Sequence, residues 1–247
     1  MLCVAVWVSV AFFLSAAELP RVADLMSRVE ALEEQLTDLS AHVKIVQEKA
    51  TQGIKAYEMQ FYRRDANDNF LIVMTDPLPE RGNGYLRAGD DMWMYRKNTR
   101  TFQHINRDEA ISGTDAKAAD FEKRKLTALY KPVTERASAT NIGKSALYRF
   151  EIVNKVNDVK YPKQLYYVDR SNGLPKIVQS YSLSGALMQT AVYITWGMVE
   201  GKYIWLKATF IDEFEKGNRS VVELSGISTK PISHGTFTKA YLENLSK

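Results

Sequence analysis

The chain has 247 residues, a formal net charge of +4 at neutral pH and a single cysteine. A charge this small for this length gives no reason to expect nucleic-acid binding. Cys3 lies in an apolar N-terminal run, so the remaining chain has no thiol for disulfides, thiolate catalysis or cysteine-ligated zinc. No linker rich in Pro, Gly or Ser divides the chain, and one globular domain is expected.

The first 17 residues form an uncharged apolar run that ends in small residues suited to signal peptidase, Ser15 and Ala17. The run is shorter than the roughly 20 residues of a comfortable transmembrane helix. We predict a signal peptide at 1–17, with a mature protein that starts near Glu18. The run lacks the usual basic residue at its start, and a retained anchor or buried helix is the alternative. Cys3 precedes most of the run, so it is not placed for lipidation.

A helix is predicted next, because apolar residues recur at spacings of three and four without Gly or Pro from Arg21 to Gln52. The recurring positions are Val22, Leu25, Val29, Leu32, Leu36, Leu39, Val43 and Val46. This stripe allows three interpretations: a lid helix lying on a sheet, a coiled coil that forms a homodimer through Val22–Val46, or a helix that docks a partner. We assign residues 18–53 to this heptad or lid helix and 54–247 to the following domain.

Short apolar runs separated by tight turns follow, most clearly between Phe70 and Ile105. Asp76-Pro77, Gly82-Asn83-Gly84 and Gly89-Asp90-Asp91 supply the turns. Strands this short and this closely connected can only be antiparallel neighbours. The predicted strands of this meander are Phe70–Met74, Tyr85–Ala88, Met92–Tyr95 and Thr101–Ile105.

Similar strands continue towards the C-terminus, interrupted by the polar, Ala-rich stretch Asp108–Lys125, which is expected to be a loop with a short helix. Thr236–Asn244 is predicted to be a terminal helix or turn that covers one sheet edge. The predicted fold class is therefore mainly β (α+β), with about eleven strands in one large, strongly curled antiparallel sheet.

A family resemblance covers about Ala56 to Leu245. The segment GYLRAGDDMWMY, from Gly84 to Tyr95, resembles the GTxYLRIGDNLWLY signature of the periplasmic outer-membrane lipoprotein-sorting family, the LolA-like carriers. Weaker matches follow in the family's order, at Ser112–Asp115 with Asp120-Phe121, Gly173–Pro175, Tyr181, Gly185, Gly201 and Phe237–Leu242. The resemblance implies an unclosed β-barrel with helices as a lid, which holds acyl chains in an apolar cavity and has no catalytic centre or cofactor.

The residues themselves give little support to an enzyme. The three histidines, His42, His104 and His234, are far apart in sequence, and no serine lies in a G-x-S-x-G elbow. The three histidines are not spaced as metal ligands are, so no metal is expected. Surface or packing roles are the simpler interpretation of all three.

Strands with apolar residues on both faces are the unusual feature, and they fill either a core or a cavity that suits flexible acyl chains. The candidate lipid-binding residues are Phe70, Ile72, Met74, Met92, Met94, Trp93, Phe150 and Ile152. Strand alternation allows only one of the pairs Met92 with Met94 and Trp93 with Tyr95 to point inward. We favour the methionines, with Trp93 as a contact at the barrel rim. Arg87 is either exposed or a latch that hydrogen-bonds the lid.

The leading functional hypothesis is a periplasmic carrier of lipoprotein or phospholipid acyl chains, working with a lipid transporter and an acceptor in the envelope. The alternative is a coiled-coil structural or adaptor protein whose β domain is a scaffold. An esterase acting on lipids is a third, supported only by the expected ligand.

Overall fold

The computed structural model describes residues 18–34, 37–106, 111, 126–157 and 159–246. The predicted signal peptide and most of Asp108–Lys125 lie outside these residues. The described part has three α-helices: α1 Val22–Glu33, α2 Leu126–Leu129 and α3 Lys239–Leu245. Its strands are β1 Leu39–Lys49, β2 Gly53–Arg64, β3 Asn69–Asp76, β4 Gly84–Ala88, β5 Asp91–Arg96, β6 Thr101–His104, β7 Tyr130–Pro132, β8 Ser138–Ile142, β9 Ser145–Asn154, β10 Lys163–Asp169, β11 Pro175–Tyr181, β12 Leu187–Val199, β13 Lys202–Asp212 and β14 Arg219–Ser228.

All fourteen described strands form one antiparallel sheet, in the order β6-β5-β4-β3-β2-β1-β14-β13-β12-β11-β10-β9-β7, with β8 also paired to β9. Since β6 and β7 stand at opposite ends of this order, the sheet is not closed. The mainly β prediction is confirmed. The count of about eleven strands was too low, because β1 was predicted as helix and β8 has no buried residue to produce an alternating pattern.

The long N-terminal helix was a wrong prediction. Helix α1 ends at Glu33, and Leu39–Lys49 is a central strand paired with β2 and β14. Leu39, Val43 and Ile45 are buried on one face of this strand, with even-numbered neighbours less buried. Leu39 and Val43 are four residues apart, a spacing that satisfies a helix face and a strand face alike. The boundary predicted between residues 53 and 54 therefore falls inside the β1–β2 hairpin.

Helix α1 packs against the sheet of its own chain. Val22, Leu25, Met26 and Val29 are at most 2% exposed and belong to one cluster with residues of β9 to β13. The Nζ of Lys202 donates to the carbonyl of Glu34 at 2.9 Å, just past the helix end. The first part of the stripe predicted to form a homodimer, Val22, Leu25 and Val29, is thus buried within the chain itself, and the coiled coil of the adaptor hypothesis is absent from the described residues.

The two faces of the sheet are covered by different helices. We call the face covered by α1 the inner face and the opposite face the outer face. Helix α3 covers the outer face, where Leu242 is fully buried and packs with Leu71 and Leu86. Gly84 is required at this contact, because a Cβ there would lie 2.4 Å from Cδ1 of Leu242 and 2.6 Å from the carbonyl oxygen of Ile72. The predicted terminal helix is present: it begins three residues later and ends one residue later than predicted, and it covers the outer face rather than an edge of the sheet.

Candidate functional site

The strand register brings five of the predicted site residues together. Ile72 lies opposite Tyr85, which lies opposite Met94. Directly opposite residues share a face, as do alternate residues of one strand. The members of this set are Phe70, Ile72, Met74, Met92 and Met94, and all five lie in one buried cluster. The parity that we favoured from the sequence is the one the structure has.

This inner-face cluster has contributions that sequence reasoning missed. Met59 lies opposite Met74, so four of the eight methionines of the chain are gathered here. Val43 and Ile45 of β1 join them, which the helix prediction made impossible to foresee. The alternation of β1 was the signal that could have found these two residues. Thioethers on unbranched side chains adapt their shape to an irregular apolar occupant.

The cluster continues along the same face as the core under α1. Ile45 lies opposite Val222 of β14, and Val222 lies opposite Ala208 of β13. Ala208 belongs to the cluster that contains α1, whereas Ile45 belongs to the methionine cluster. Two adjoining apolar clusters therefore share the inner face, and only one of them is covered by α1.

Phe150 and Ile152 lie in the second of these clusters rather than beside the methionines. The ring of Phe150 stacks on Tyr166 of β10, with centroids 5.2 Å apart and planes at 7°. Both residues are packed under α1, so the prediction of a single set of eight lining residues joined two separate groups. The sequence does not show how far apart β9 and β3 lie in the sheet, so the two groups of residues could not be distinguished from it.

Trp93 does not join the inner face. It alternates with Met92 and Met94 in β5, so it lies on the outer face, in the cluster that contains α3. The Nζ of Lys239 lies 3.0 Å from the centroid of its ring, and His104 meets its edge with centroids 4.9 Å apart. It does not lie beside the methionines, because one strand cannot turn successive side chains to the same face. Its predicted contact with lipid at the barrel rim stays a prediction.

Arg87 lies opposite both Phe70 and Met92, so it is a half-buried cation on the apolar inner face. Its Nε donates to the carbonyl of Gly89 at 2.9 Å, within the β4–β5 connection. This contact anchors the guanidinium at the edge of the methionine cluster. The latch role stays a prediction.

The three histidines lie apart from one another, and each has a polar partner of its own. His42 lies in β1 and not in a helix, with Nε2 3.4 Å from a carboxylate oxygen of Glu58. Nε2 of His104 lies 3.2 Å from Asp91, and Nδ1 of His234 lies 3.0 Å from Nη1 of Arg64. Among the described residues, no group of three or more His, Cys, Asp or Glu side chains is arranged to hold a metal.

An ion pair ties the C-terminal segment to the sheet. Nε and Nη2 of Arg64 donate to the two carboxylate oxygens of Asp38 at 2.8 and 2.7 Å, and both side chains are 11% exposed. The backbone N–H of Ile232 donates to the same carboxylate at 2.6 Å, and Arg64 also donates to the carbonyl of Ile232. The guanidinium stands 5.0 Å from the ring centroid of Phe237. Hydrogen bonding from Arg64 holds the pKa of Asp38 below its ordinary value.

Stability is expected to fall in acid through this pair. The folded pKa of Asp38 lies below the unfolded value, so its contribution is present above about pH 4 and is lost as pH falls through the folded pKa. Asp38→Asn should cost about 2–4 kcal/mol at neutral pH and flatten this part of the pH profile, because Arg64 loses its buried partner. Urea unfolding between pH 3 and pH 7 measures both effects. Asp76→Asn, which changes a half-exposed carboxylate 3.8 Å from Arg81, is the control and should alter little; an equal loss in the two variants contradicts the assignment.

Among the described residues, none of the helices has the length and apolar character needed to cross a membrane.

The architecture is that of the LolA-like fold. A LolA superfamily protein from Nitrosomonas europaea is 22% identical, with a TM-score of 0.74 over 90% of this chain and 99% of its own. A putative outer membrane lipoprotein-sorting protein domain from Vibrio parahaemolyticus is 16% identical, with a TM-score of 0.77 over 90% of this chain and 97% of its own. A DUF1329 family protein from Desulfovibrio piger is 17% identical, with a TM-score of 0.78 over 89% of this chain and 97% of its own.

A family model matches residues 66–244, more than half of the chain, and the chain belongs to that family, which is described as "-like: Uncharacterized protein". No curated protein sequence matches the chain. The solved structures with this fold confirm, at the level of the fold, the family resemblance found in the Gly84–Tyr95 segment.

Proposed function

We propose that the protein is a periplasmic carrier that binds acyl chains of lipoproteins or phospholipids on its inner face and passes them towards the outer membrane. The observation that carries this proposal is the methionine-rich cluster of β2 to β5, which lies on the inner face beside α1. Support comes from two proteins of the same fold that are named for the LolA superfamily and for lipoprotein sorting.

Binding would be driven by burial alone. Each methylene moved from water into the cluster contributes about 0.8 kcal/mol, so one long chain supplies enough energy for tight binding without any covalent step. The side chains of the cluster pack against one another and are buried, Ile72 and Met59 fully so. An acyl chain must therefore displace or separate them, which methionine side chains permit at low cost.

Release follows from the same energetics. A carrier that binds by apolar burial gives up its cargo only to an acceptor that binds the lipid better, and a shift between covered and open states of the inner face makes this exchange fast. We propose that α1 acts as the cover and that Arg87 is the latch at the other side of the face. A transporter that loads the carrier and an acceptor that unloads it are the partners that this cycle needs.

Uptake of a fluorescent fatty acid tests the proposal. The purified protein is expected to bind the probe at one saturable site, with a blue shift of its emission, and a natural fatty acid should compete. A folded protein that leaves the emission of the probe unchanged at high concentration would remove the carrier function. The periplasmic location is tested separately, since export with cleavage after Ala17 yields a mature chain that begins at Glu18.

A further inference from the structure

Large apolar side chains are exposed at the tips of three neighbouring hairpins. Ile54, Leu183 and Phe214 belong to the hairpins β1–β2, β11–β12 and β13–β14, and their exposed fractions are 71%, 87% and 73%. A side chain of this size that is exposed without a partner loses about 1.5–3 kcal/mol relative to a buried one. A single exposed apolar side chain is ordinary, but a large one on each of three adjacent tips is a pattern that requires an explanation.

The three tips lie at the same end of the sheet. In the strand order, β2-β1, β14-β13 and β12-β11 are consecutive, and antiparallel pairing places their connections together. The backbone N–H of Ala50 donates to Oδ1 of Asn218 at 3.2 Å, which joins the β1–β2 tip to the β13–β14 tip. The N–H of Glu213 donates to the carbonyl of Met188 at 3.0 Å, which joins the β13–β14 hairpin to β12 next to the β11–β12 tip. We call this end the tip end. Leu78, which is 72% exposed in the β3–β4 connection, lies there as well, since Asp76 of β3 pairs with Glu58 in the first half of β2.

The two ends of the sheet differ in charge. The difference lies in the described connections between strands at each end and in the one strand residue on either side of each connection. Among the described residues, the tip end has ten basic ones, Lys49, Arg81, Arg96, Lys97, Arg100, Lys155, Lys160, Lys163, Lys216 and Arg219, against five acidic ones, Asp76, Glu80, Asp212, Glu213 and Glu215. The opposite end has four basic residues, Arg64, Lys144, Arg170 and Lys202, against six acidic ones, Asp65, Asp68, Asp90, Asp91, Asp169 and Glu200.

The acids nearest to Phe214 accept hydrogen bonds from their own hairpin or from the neighbouring strand β12. Asp212 accepts from the backbone N–H groups of Phe214 and Glu215, both at 2.8 Å. Glu215 accepts from Nδ2 of Asn218 at 2.7 Å, and Glu213 accepts from the hydroxyl of Thr190. These carboxylates shape the tip and have part of their charge satisfied there. Some of the basic residues are paired as well, Arg219 with Glu48 and Lys163 with Glu151, and the net charge of the described connections at this end remains positive.

We propose that the tip end docks on the surface of an anionic phospholipid bilayer, with Ile54, Leu183 and Phe214 inserted among the headgroups and acyl chains. Separate convex tips suit insertion into a fluid interface, whereas a folded protein partner needs a continuous complementary surface. The net positive charge complements anionic headgroups, each basic residue near the surface adding to the attraction. Docking in this position would keep the carrier at the membrane while lipid enters or leaves it.

Vesicle co-sedimentation tests the proposal with the full chain. Vesicles of phosphatidylethanolamine with phosphatidylglycerol are compared with vesicles of phosphatidylcholine. The triple variant Ile54→Ser, Leu183→Ser, Phe214→Ser is expected to bind the anionic vesicles at least about tenfold more weakly than the parent. The matched control is Met198→Ser with Ile142→Ser, which removes exposed apolar side chains of 60% and 43% exposure near the opposite end and should bind as the parent does. Raising the salt concentration should weaken binding of the parent.

A fluorescent probe reports which end is inserted. Leu183→Cys and Met198→Cys, each in a Cys3→Ser chain, are labelled with an environment-sensitive dye. A blue shift on anionic vesicles is expected at position 183 and not at 198. A parent that binds neither kind of vesicle, equal binding to both kinds, or a triple variant that binds like the parent would each overturn the proposal. Because fatty-acid uptake is measured without vesicles, failure of the carrier function and failure of membrane docking are distinguishable.

Discussion

Replacing Met92 by aspartate is expected to abolish acyl-chain uptake. Met92 is 4% exposed in the methionine cluster, and an unpaired carboxylate there would be buried in apolar surroundings at a cost of several kcal/mol. Met198→Asp is the matched control, because it makes the same change at a methionine that is 60% exposed. Fluorescent fatty-acid titration of the two variants and the parent measures the difference.

A milder substitution keeps this test valid if Met92→Asp does not fold. Met92→Gln has nearly the same shape and introduces a polar group without a charge, so we expect a folded protein with uptake weakened about tenfold or more. Circular dichroism and a cooperative thermal transition establish the fold. Ile72→Asp, two strands away on the same face, should also abolish uptake. Parent-like affinity in folded Met92 and Ile72 variants would place the acyl chains elsewhere.

Replacing Leu25 by lysine is expected to destabilise the protein by about 3 kcal/mol or more. Leu25 is 2% exposed where α1 meets the inner face, and the substitution removes apolar burial and introduces a charge into that contact. Leu32→Lys is the control, because Leu32 is one heptad later but only partly buried. It should cost less than about 1 kcal/mol. Thermal unfolding compares the two.

The same pair of variants separates packing on the sheet from self-association. With α1 buried in its own chain, the parent should sediment as a monomer at all concentrations, and Leu25→Lys should lower lipid retention together with the melting temperature. A coiled coil would make the two leucines equivalent and the parent dimeric at high concentration. Dimerisation lost equally in both variants would contradict the assignment of α1 as an intramolecular cover.

The meander was predictable because glycine residues mark its turns in the sequence. Gly82 and Gly89 both adopt positive φ, a conformation with little strain only in glycine, and they bound the strands β4 and β5. Short apolar runs between such turns leave few other structures. Strand alternation likewise limited the inner face to one of two sets, and the choice of Met92 with Met94 agreed with the register.

The N-terminal region was not predictable from spacing alone. Val22, Leu25 and Val29 follow the period of a helix and are in one, whereas Leu39 and Val43 continue the same count in a strand. What decides between the two is the pairing of β1 with β14, whose partner residues lie 171 to 188 positions later in the chain. Local propensity contains no information on that partner. The separation of Phe150 from the methionines depends in the same way on how far apart β9 and β3 lie in the sheet.

Mass spectrometry of the protein purified from cells under native conditions tests the central claim most directly. The account predicts that an acyl-bearing lipid copurifies with the parent and with Met198→Asp, and that its amount falls sharply in Met92→Gln. Extraction and identification of the bound species would then define the cargo. A folded parent that is free of lipid, or equal lipid in all three proteins, would contradict the account.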